Sequence, residues 1–161
     1  SYIKTTGIEE LVDNLKWHLN QLSIDLSNGP DINEVVESLR ERSKSLVDMA
    51  QSCVMFYNDF EDFELSQASK VFNLESKLIL DDLYIQLKVL EDWNAENIHS
   101  VINNICEIRG VGFGKVGQPF RLALSGDGKA GSIDISAHFV GKKRTISRLK
   151  MAIEWINNLD S

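Results

Sequence analysis

The sequence predicts an all-α protein in which amphipathic helices pack as a bundle. Five separate stretches of the 161-residue chain repeat apolar residues at the spacing of one helix face. Only 2 Pro and 10 Gly are present, and 43% of the residues are apolar, which is enough to form a core. Each apolar stripe must be buried against a neighbour, so successive helices with short connections favour a bundle.

The first two stripes lie before residue 40 and are joined by a turn. Asn28-Gly29-Pro30 separates them, and these residue types favour a turn. The apolar positions are Ile8, Leu11, Val12, Leu15, Leu19 and Leu22 in the first stripe and Ile32, Val35, Val36 and Leu39 in the second.

The other three stripes lie in the second half of the chain. Asn94 precedes the middle one and is a suitable N-cap, because its side chain can accept a hydrogen bond from a free N–H of the first turn. The positions are Leu80, Leu83, Leu87 and Leu90, then Ile98, Val101, Ile102, Ile105 and Ile108, and finally Ile146, Leu149, Ile153 and Ile156.

Two segments do not follow a simple helical pattern. Charged residues at 40–44 interrupt an apolar stripe that resumes at Leu46, which predicts either a kink or a helix end followed by a new start. Residues 133–139 alternate apolar and polar with period two, as in a strand. Because no comparable second strand is present to pair its backbone groups, we predict a short helix there.

Length and composition exclude several classes of protein. A chain of 161 residues fits one domain or two small ones. No apolar run approaches the ~20 residues of a membrane span, and the first residues lack a signal-peptide pattern. For the same reason we expect no membrane partner. Cys53 and Cys106 form no CxxC motif, so we expect free thiols in a reducing cytoplasm.

Charge is unevenly distributed along the chain. The net charge is −7, but residues 1–108 carry −12 and residues 109–161 carry +5. A basic segment on an acidic chain can bind phosphates, while the alternative is a solvated surface with no such role.

Two glycine-containing segments resemble nucleotide-binding loops in some of their residues, but one lacks the surrounding structure of such a loop and the other lacks its spacing. Residues 112–117 match GxGxxG, but a helical stripe precedes them and Pro119 follows, so we predict a Gly-rich loop that closely approaches another group. Residues 125–129 lack P-loop spacing and predict a turn.

No residue set predicts a metal site or a catalytic centre. The carboxylates of residues 59–64 lack calcium-loop spacing and predict a solvated acidic face. His18, His99 and His138 are scattered, without a Cys or His partner at ligand spacing.

The basic segment offers groups that bind phosphates and base edges. Arg109, Lys115, Arg121 and Lys129 lie among Gly-rich turns, and Lys142, Lys143, Arg144, Arg148 and Lys150 begin and line the last helix. Three aromatic residues among them either stack on bases or belong to the core: Phe113, Phe120 and Phe139. The residues alone therefore indicate a helical domain whose basic face binds RNA or another partner.

Several segments together resemble the C-terminal anticodon-binding region of bacterial glutamyl-tRNA synthetase, in its gamma-proteobacterial form. Their order and spacing hold over nearly the whole chain, and the block ending in Pro119-Phe120-Arg121 is the most specific. The segments are residues 15–19, 24–25 with 28–30, 41–46, 49–53, 56–60, 92–97 and 114–126, with Gly141-Lys142 and Arg148-Leu149 at the end.

The resemblance implies a two-part helical cage, divided into residues 1–53 and 54–161, that reads an anticodon. In that family ATP, Mg²⁺, glutamate and the acceptor end of the tRNA meet on a Rossmann domain with HIGH and KMSKS motifs, which are absent here. Tyr2-Ile3 looks like the start of the piece that follows the KMSKS region. The chain alone is therefore expected to be inactive and to need no cofactor, and to bind glutamate tRNA, not DNA, as a cytoplasmic monomer.

The resemblance also implies roles for particular residues. Arg42 matches an arginine that reads the third anticodon base, Arg121 one that meets the first base, and Ile133 an apolar residue packed against the middle base. Ala130-Gly131 stands where the family usually has a Ser/Thr-Pro pair, so the resemblance does not extend to a hydroxyl contact there. Backbone-contact candidates, chosen on charge and loop position, are Lys115, Gln118, Lys142, Lys143 and Arg148.

Three rival interpretations predict different behaviour. A helical protein-interaction module would use its acidic residues 1–108 as a binding face and would not bind tRNA. A stand-alone enzyme would turn over substrate by itself. The third is a glutaminyl-tRNA synthetase. The anticodon region of that enzyme resembles β-barrels, and the five helical stripes of this sequence contradict such a fold.

Overall fold

A computed structural model describes residue 3 and residues 6–160 of the chain. Tyr2, in the segment that looked like the start of the piece after the KMSKS region, lies outside these residues. Over residues 6–160 the fold is helical, with nine α-helices and no strand, which confirms the predicted all-α class. The chain divides into two compact units, residues 1–59 and residues 60–161.

The first unit contains three α-helices and a short 3₁₀ turn. They are α1 (Ile8–Gln21), the turn Leu26–Asn28, α2 (Ile32–Leu39) and α3 (Leu46–Tyr57). Helix α1 packs on both α2 and α3, and the predicted stripes supply the core except for Leu22, which is exposed, and Ile8, which is half-buried. Gly29 lies against the ring of Tyr57, where a β-carbon would clash, and the Tyr57 hydroxyl donates a hydrogen bond to the Pro30 carbonyl at 2.9 Å. The predicted turn at residues 28–30 is therefore held by α3.

The charged interruption at residues 40–44 is a helix end followed by a new start. Helix α2 ends at Leu39, and α3 begins after its N-cap Ser45, whose hydroxyl accepts a hydrogen bond from the N–H of Asp48 at 3.1 Å. Of the two alternatives left by the sequence, the kink is therefore excluded.

The position predicted for the junction between the two parts lies inside a helix. Helix α3 continues through Cys53 to Tyr57, and the two units divide between residues 59 and 60. Cys53 is buried in the first unit, because it belongs to the apolar face of α3.

The second unit contains six α-helices. They are α4 (Leu65–Val71), α5 (Leu74–Lys88), α6 (Ala95–Arg109), α7 (Phe113–Ser125), α8 (Ile133–Val140) and α9 (Lys142–Asn157), followed by a 3₁₀ turn (Asn158–Asp160). Helix α7 contacts α4, α5, α6, α8 and α9, so it forms the centre of this unit. Its Phe120 is fully buried.

Two local predictions in this unit are confirmed. The Asn94 side chain caps α6 by accepting a hydrogen bond from the N–H of Asn97 at 2.8 Å. Residues 133–140 form a helix and not a strand, and no strand occurs elsewhere among the described residues to pair with one.

The prediction of a Gly-rich loop at residues 112–117 is wrong. Gly112 caps α7, and Gly114, Gly117 and Pro119 all lie inside that helix. A β-carbon at Gly117 would come within 3.0 Å of Ile133 Cδ1, so this glycine allows α8 to pack closely on α7. The backbone does approach another group, but it does so within the protein core.

The turn predicted at residues 125–129 is confirmed. Gly126 and Gly128 adopt positive φ angles of 80° and 81°, and the Ser125 hydroxyl accepts a hydrogen bond from the N–H of Gly128 at 2.8 Å. None of the helices within the described ranges combines the length and apolar character needed to cross a bilayer.

Candidate nucleic-acid interface

Arg42 lies on the surface of the first unit, in the connection between α2 and α3. Its Nη1 donates a hydrogen bond of 3.3 Å to the carbonyl of Ser38, one turn earlier. The alternative to base reading is a surface ion pair of Arg42 with Glu41 or Asp48. Within the described residues Arg42 forms no ion pair, and the carboxylate of Asp48 accepts a hydrogen bond from the N–H of Lys44 at 3.1 Å. The guanidinium of Arg42 is therefore exposed and only weakly held.

Arg121 lies in the second unit on α7 and is half-buried. Its Nε donates a hydrogen bond to the carbonyl of Ala130 at 3.1 Å. The side chain lines a cavity of about 340 Å³ together with Gln67, Lys70 and Gln118, here called the Arg121 cavity. No other partner of this guanidinium occurs among the residues described, so its two Nη groups can bind a ligand.

Ile133 begins α8 and lies in the core. Only 3% of its surface is exposed, and its Cδ1 packs against Gly117. This burial gives no support to a side-chain contact with the middle base, because the exposed surface that such a contact needs is absent at this position.

Lys115 and Gln118 lie on the exposed face of α7. Lys115 Nζ is 3.5 Å from a carboxylate oxygen of Glu75, and both side chains are largely exposed, at 64% and 72%. Such a pair is worth about 0–1 kcal/mol, so a phosphate can compete with Glu75 for the lysine. Both residues remain backbone-contact candidates, on a helix and not on the predicted loop.

Lys142 and Lys143 begin α9 but differ in their surroundings. Lys142 is half-buried, and its Nζ donates a hydrogen bond of 2.7 Å to the carbonyl of Leu90, just beyond the end of α5. Lys143 is exposed. Lys143 is therefore the better placed of the two to bind a phosphate.

Arg148 lies in the core of the second unit and not at the predicted interface. Only 4% of its surface is exposed, its Nη1 donates a hydrogen bond of 2.6 Å to the carbonyl of Leu124, and its guanidinium lies 4.9 Å from the ring centre of Phe60. A buried arginine with these contacts stabilises the second unit and cannot reach a phosphate.

We expect Arg148→Met to lower the free energy of unfolding by about 1–2 kcal/mol. A hydrogen bond to a charged group contributes about 1.5–3 kcal/mol, and the relieved desolvation of the guanidinium offsets part of its loss. Urea unfolding measures this, with the exposed Lys150→Met on the same helix as the control. An unchanged unfolding midpoint, or a weaker salt dependence of RNA binding in Arg148→Met alone, would contradict a structural role.

Aromatic side chains of the basic segment are mainly structural. Phe120 and Phe139 are buried, which favours the core alternative for both. Phe113 is 43% exposed, and its ring centre lies 5.9 Å from that of His99. Of the three, only Phe113 presents a ring to solvent.

Sequence reasoning missed Gln67 and Lys70 on α4. This helix has seven residues, too few for an apolar stripe, and it lies in the acidic part of the chain. Both side chains line the Arg121 cavity. Only the packing of α4 against α7 reveals them.

Other ionisable groups serve the fold. Arg109 donates two hydrogen bonds to the Asp82 carboxylate at 2.7 and 3.0 Å, which raises the pKa of Arg109. Burial raises the pKa of the Cys53 thiol to about 12, so it stays protonated and unreactive at neutral pH. Across the described part of the chain, no group of three or more His, Cys, Asp or Glu side chains is arranged to hold a metal ion.

The second unit combines a half-buried guanidinium at the wall of a cavity with exposed lysines on an all-helical scaffold, and an RNA-binding domain uses such groups for base edges and phosphates. The family model for the anticodon binding domain matches residues 10–153. The chain therefore belongs to the anticodon-binding domain family, and the resemblance seen in the sequence is confirmed.

Curated relatives and solved structures agree with this family. The chain is 48% identical to the glutamate–tRNA ligase of Ruthia magnifica subsp. Calyptogena magnifica over 94% of its length and 33% of that protein. It is 47% identical to the glutamate–tRNA ligase of Vesicomyosocius okutanii over 95% of its length and 33% of the relative. It thus spans about a third of the length of these relatives.

The same fold occurs in a solved glutamate tRNA ligase. The enzyme from Elizabethkingia meningosepticum superposes with a TM-score of 0.82 at 26% identity, covering 96% of this chain and 30% of that one.

Proposed function

We propose that this chain reads the anticodon of glutamate tRNA as the anticodon-binding part of a glutamate–tRNA ligase. The observation that carries the proposal is Arg121: its Nε is held by the Ala130 carbonyl at the wall of a cavity of about 340 Å³, in a family defined by anticodon binding. The names of the relatives, at 47–48% identity, support glutamate as the amino acid.

Each unit supplies its own base reader in this proposal. Arg42 reads the third anticodon base from the first unit, and Arg121 reads the first base from the second unit. Lys115, Gln118, Lys142 and Lys143 bind the RNA backbone, and Lys115 and Lys143 are the two exposed lysines of this set. Base contacts set the specificity, while phosphate contacts add affinity that falls with salt.

The chemical step lies outside this chain in the proposal. The sequence lacks HIGH and KMSKS motifs, and the described residues include no cluster suited to hold Mg²⁺ beside ATP. A catalytic domain elsewhere in the enzyme would use ATP and Mg²⁺ to attach glutamate. The part played by this chain, as a cytoplasmic monomer, is to select and position the tRNA.

A gel-shift assay with three RNAs tests the proposal. We expect glutamate tRNA to bind more tightly than the same tRNA with its anticodon replaced, and than an unrelated tRNA. A wrong base costs about 1–3 kcal/mol, so one replaced base weakens binding roughly five- to a hundred-fold.

Two outcomes would contradict the proposal. Equal binding of all three RNAs would mean that the chain responds only to phosphate charge. Absence of RNA binding, with capture of a protein partner on the acidic face of residues 1–108, would favour an interaction module.

A further inference from the structure

Two cavities in the second unit share a wall. The Arg121 cavity lies between α4 and α7, and a second cavity of about 290 Å³ lies beside it, next to the start of α5. We call the second one the Glu75 cavity, because it is lined by Glu75, Gly114 and Lys115. Lys70, Val71 and Gln118 line both cavities.

Each cavity has the size and lining that suit one nucleobase. Volumes of 290 and 340 Å³ lie near the lower end of small-molecule sites, which begin at about 300 Å³. In the Glu75 cavity, Ile79 and Pro119 supply an apolar surface, while Glu75, Lys115 and Gln118 supply polar groups. A single-stranded base needs both: an apolar surface for its face and polar partners for its edge.

Lys70 lies on the wall that the two cavities share, where the phosphate linking two adjacent nucleotides would lie. It is exposed, and its ammonium group forms no hydrogen bond or ion pair with the described residues. Adjacent nucleotides are joined by one phosphate, so bases in neighbouring cavities would bring a negative charge to the shared wall. Lysine binds a phosphate as a point charge.

We propose that the Glu75 cavity binds the loop nucleotide on the 5′ side of the first anticodon base, with Lys70 on the phosphate between the two. The proposal rests on the function proposed above, because it assumes that the first anticodon base meets Arg121. The 5′ neighbour is preferred to the middle base because the strand on the 3′ side of the first base continues to the third base, which Arg42 of the first unit reads in the proposed function. Every residue that lines the Glu75 cavity belongs to the second unit.

Filling the Glu75 cavity tests the base contact. A β-carbon at Gly114 meets no atom within 4 Å, so Gly114→Leu can occupy the cavity without disturbing the core. Gly112→Leu is the matched control, because Gly112 is equally unobstructed and does not line the cavity. The RNAs are the anticodon stem-loop of glutamate tRNA and the same stem-loop with an abasic site immediately 5′ of the anticodon.

We expect the abasic site to weaken binding to the unaltered chain roughly five- to a hundred-fold, which is the range for losing one stacked base. Gly114→Leu should weaken the intact stem-loop to the level of the abasic one and leave the abasic one unchanged. Gly112→Leu should alter neither. If the two RNAs bind the unaltered chain equally, or if Gly114→Leu weakens both alike, the base contact is refuted.

A salt series tests Lys70. The slope of log affinity against log salt is negative, and Lys70→Gln should make it less steep by roughly 0.7, the value for one phosphate of a single strand. Lys88→Gln, which removes an exposed lysine that lines neither cavity, should leave the slope unchanged. Equal slopes in the two variants would refute a phosphate contact at Lys70.

A separate binding experiment tests the proposed function, with a stem-loop whose first anticodon base is replaced. If the chain still discriminates against that RNA while the abasic site has no effect, only the further inference fails. If neither RNA is distinguished from the intact stem-loop, the proposed function fails as well.

Discussion

Replacing Arg121 by glutamine should lower the affinity for the glutamate anticodon stem-loop roughly five- to a hundred-fold and remove its preference for the first base. The Nε hydrogen bond to the Ala130 carbonyl fixes the guanidinium plane before any ligand binds. Because the group is already oriented, little side-chain freedom is lost when the Nη groups bind a base edge. A good two-point contact of this kind is worth about 1–3 kcal/mol of discrimination.

A lysine at the same position separates charge from geometry. Arg121→Lys keeps the positive charge, but an ammonium group cannot hold the Ala130 carbonyl and also present a planar pair of donors. We therefore expect this variant to lose first-base preference while keeping the salt dependence of binding. The measurement compares stem-loops with a pyrimidine or a purine at the first position.

Loss of surface charge and loss of folding would each also weaken RNA binding, so each needs its own control. Lys129→Gln removes one exposed charge from the loop after α7 and should leave first-base preference intact. Urea unfolding of each variant checks that loss of the Ala130 contact has not unfolded the second unit. First-base preference retained by Arg121→Lys would show that the planar guanidinium does not read that base.

The sequence predicted those helices whose apolar residues recur on a single face. Helices α1, α2, α5, α6 and α9 each bury most of their predicted stripe, although Leu22 at the end of α1 and Ile108 at the end of α6 are exposed. The break at residues 40–44 was also visible, because charge interrupts an otherwise apolar face.

Helix α7 could not be recognised from its composition. Gly112, Gly114, Gly117 and Pro119 are poor helix formers, and intrinsic propensity therefore favours a loop. Tertiary packing overrides that preference, because Gly117 permits close contact with Ile133 and Phe120 fills the centre of the unit. Such packing depends on residues distant in sequence.

The burial of basic side chains was equally invisible in the sequence. Arg148 and Lys142 match a phosphate-binding pattern as well as Lys143 does. Their partners are carbonyl groups 24 and 52 residues away, those of Leu124 and Leu90. Only the folded chain distinguishes the arginine that stabilises the core from the lysine that faces solvent.

The second large effect is expected at Arg42, which we propose to read the third anticodon base. Glutamate and glutamine anticodons differ only there, with C in the first and G in the second. A guanidinium has donors only, and the pairing edge of C offers acceptors at O2 and N3. The same edge of G presents N1–H and N2–H₂ donors, so an arginine facing it leaves donors opposed. Each unpaired buried polar group costs about 1–3 kcal/mol, or roughly five- to a hundred-fold in affinity.

Arg42→Gln should therefore reduce the ratio of affinities for the glutamate and glutamine anticodon stem-loops by roughly five- to a hundred-fold. The amide of glutamine offers both donors and acceptors, so it can satisfy either base. Lys44→Gln is the matched control: it removes one exposed charge two residues away and should weaken both RNAs alike, leaving the ratio unchanged. The weak bond of Arg42 to the Ser38 carbonyl, at 3.3 Å, predicts little change in stability for the variant. If the ratio stays constant in Arg42→Gln, or falls equally in Lys44→Gln, Arg42 contributes charge to binding and does not distinguish C from G.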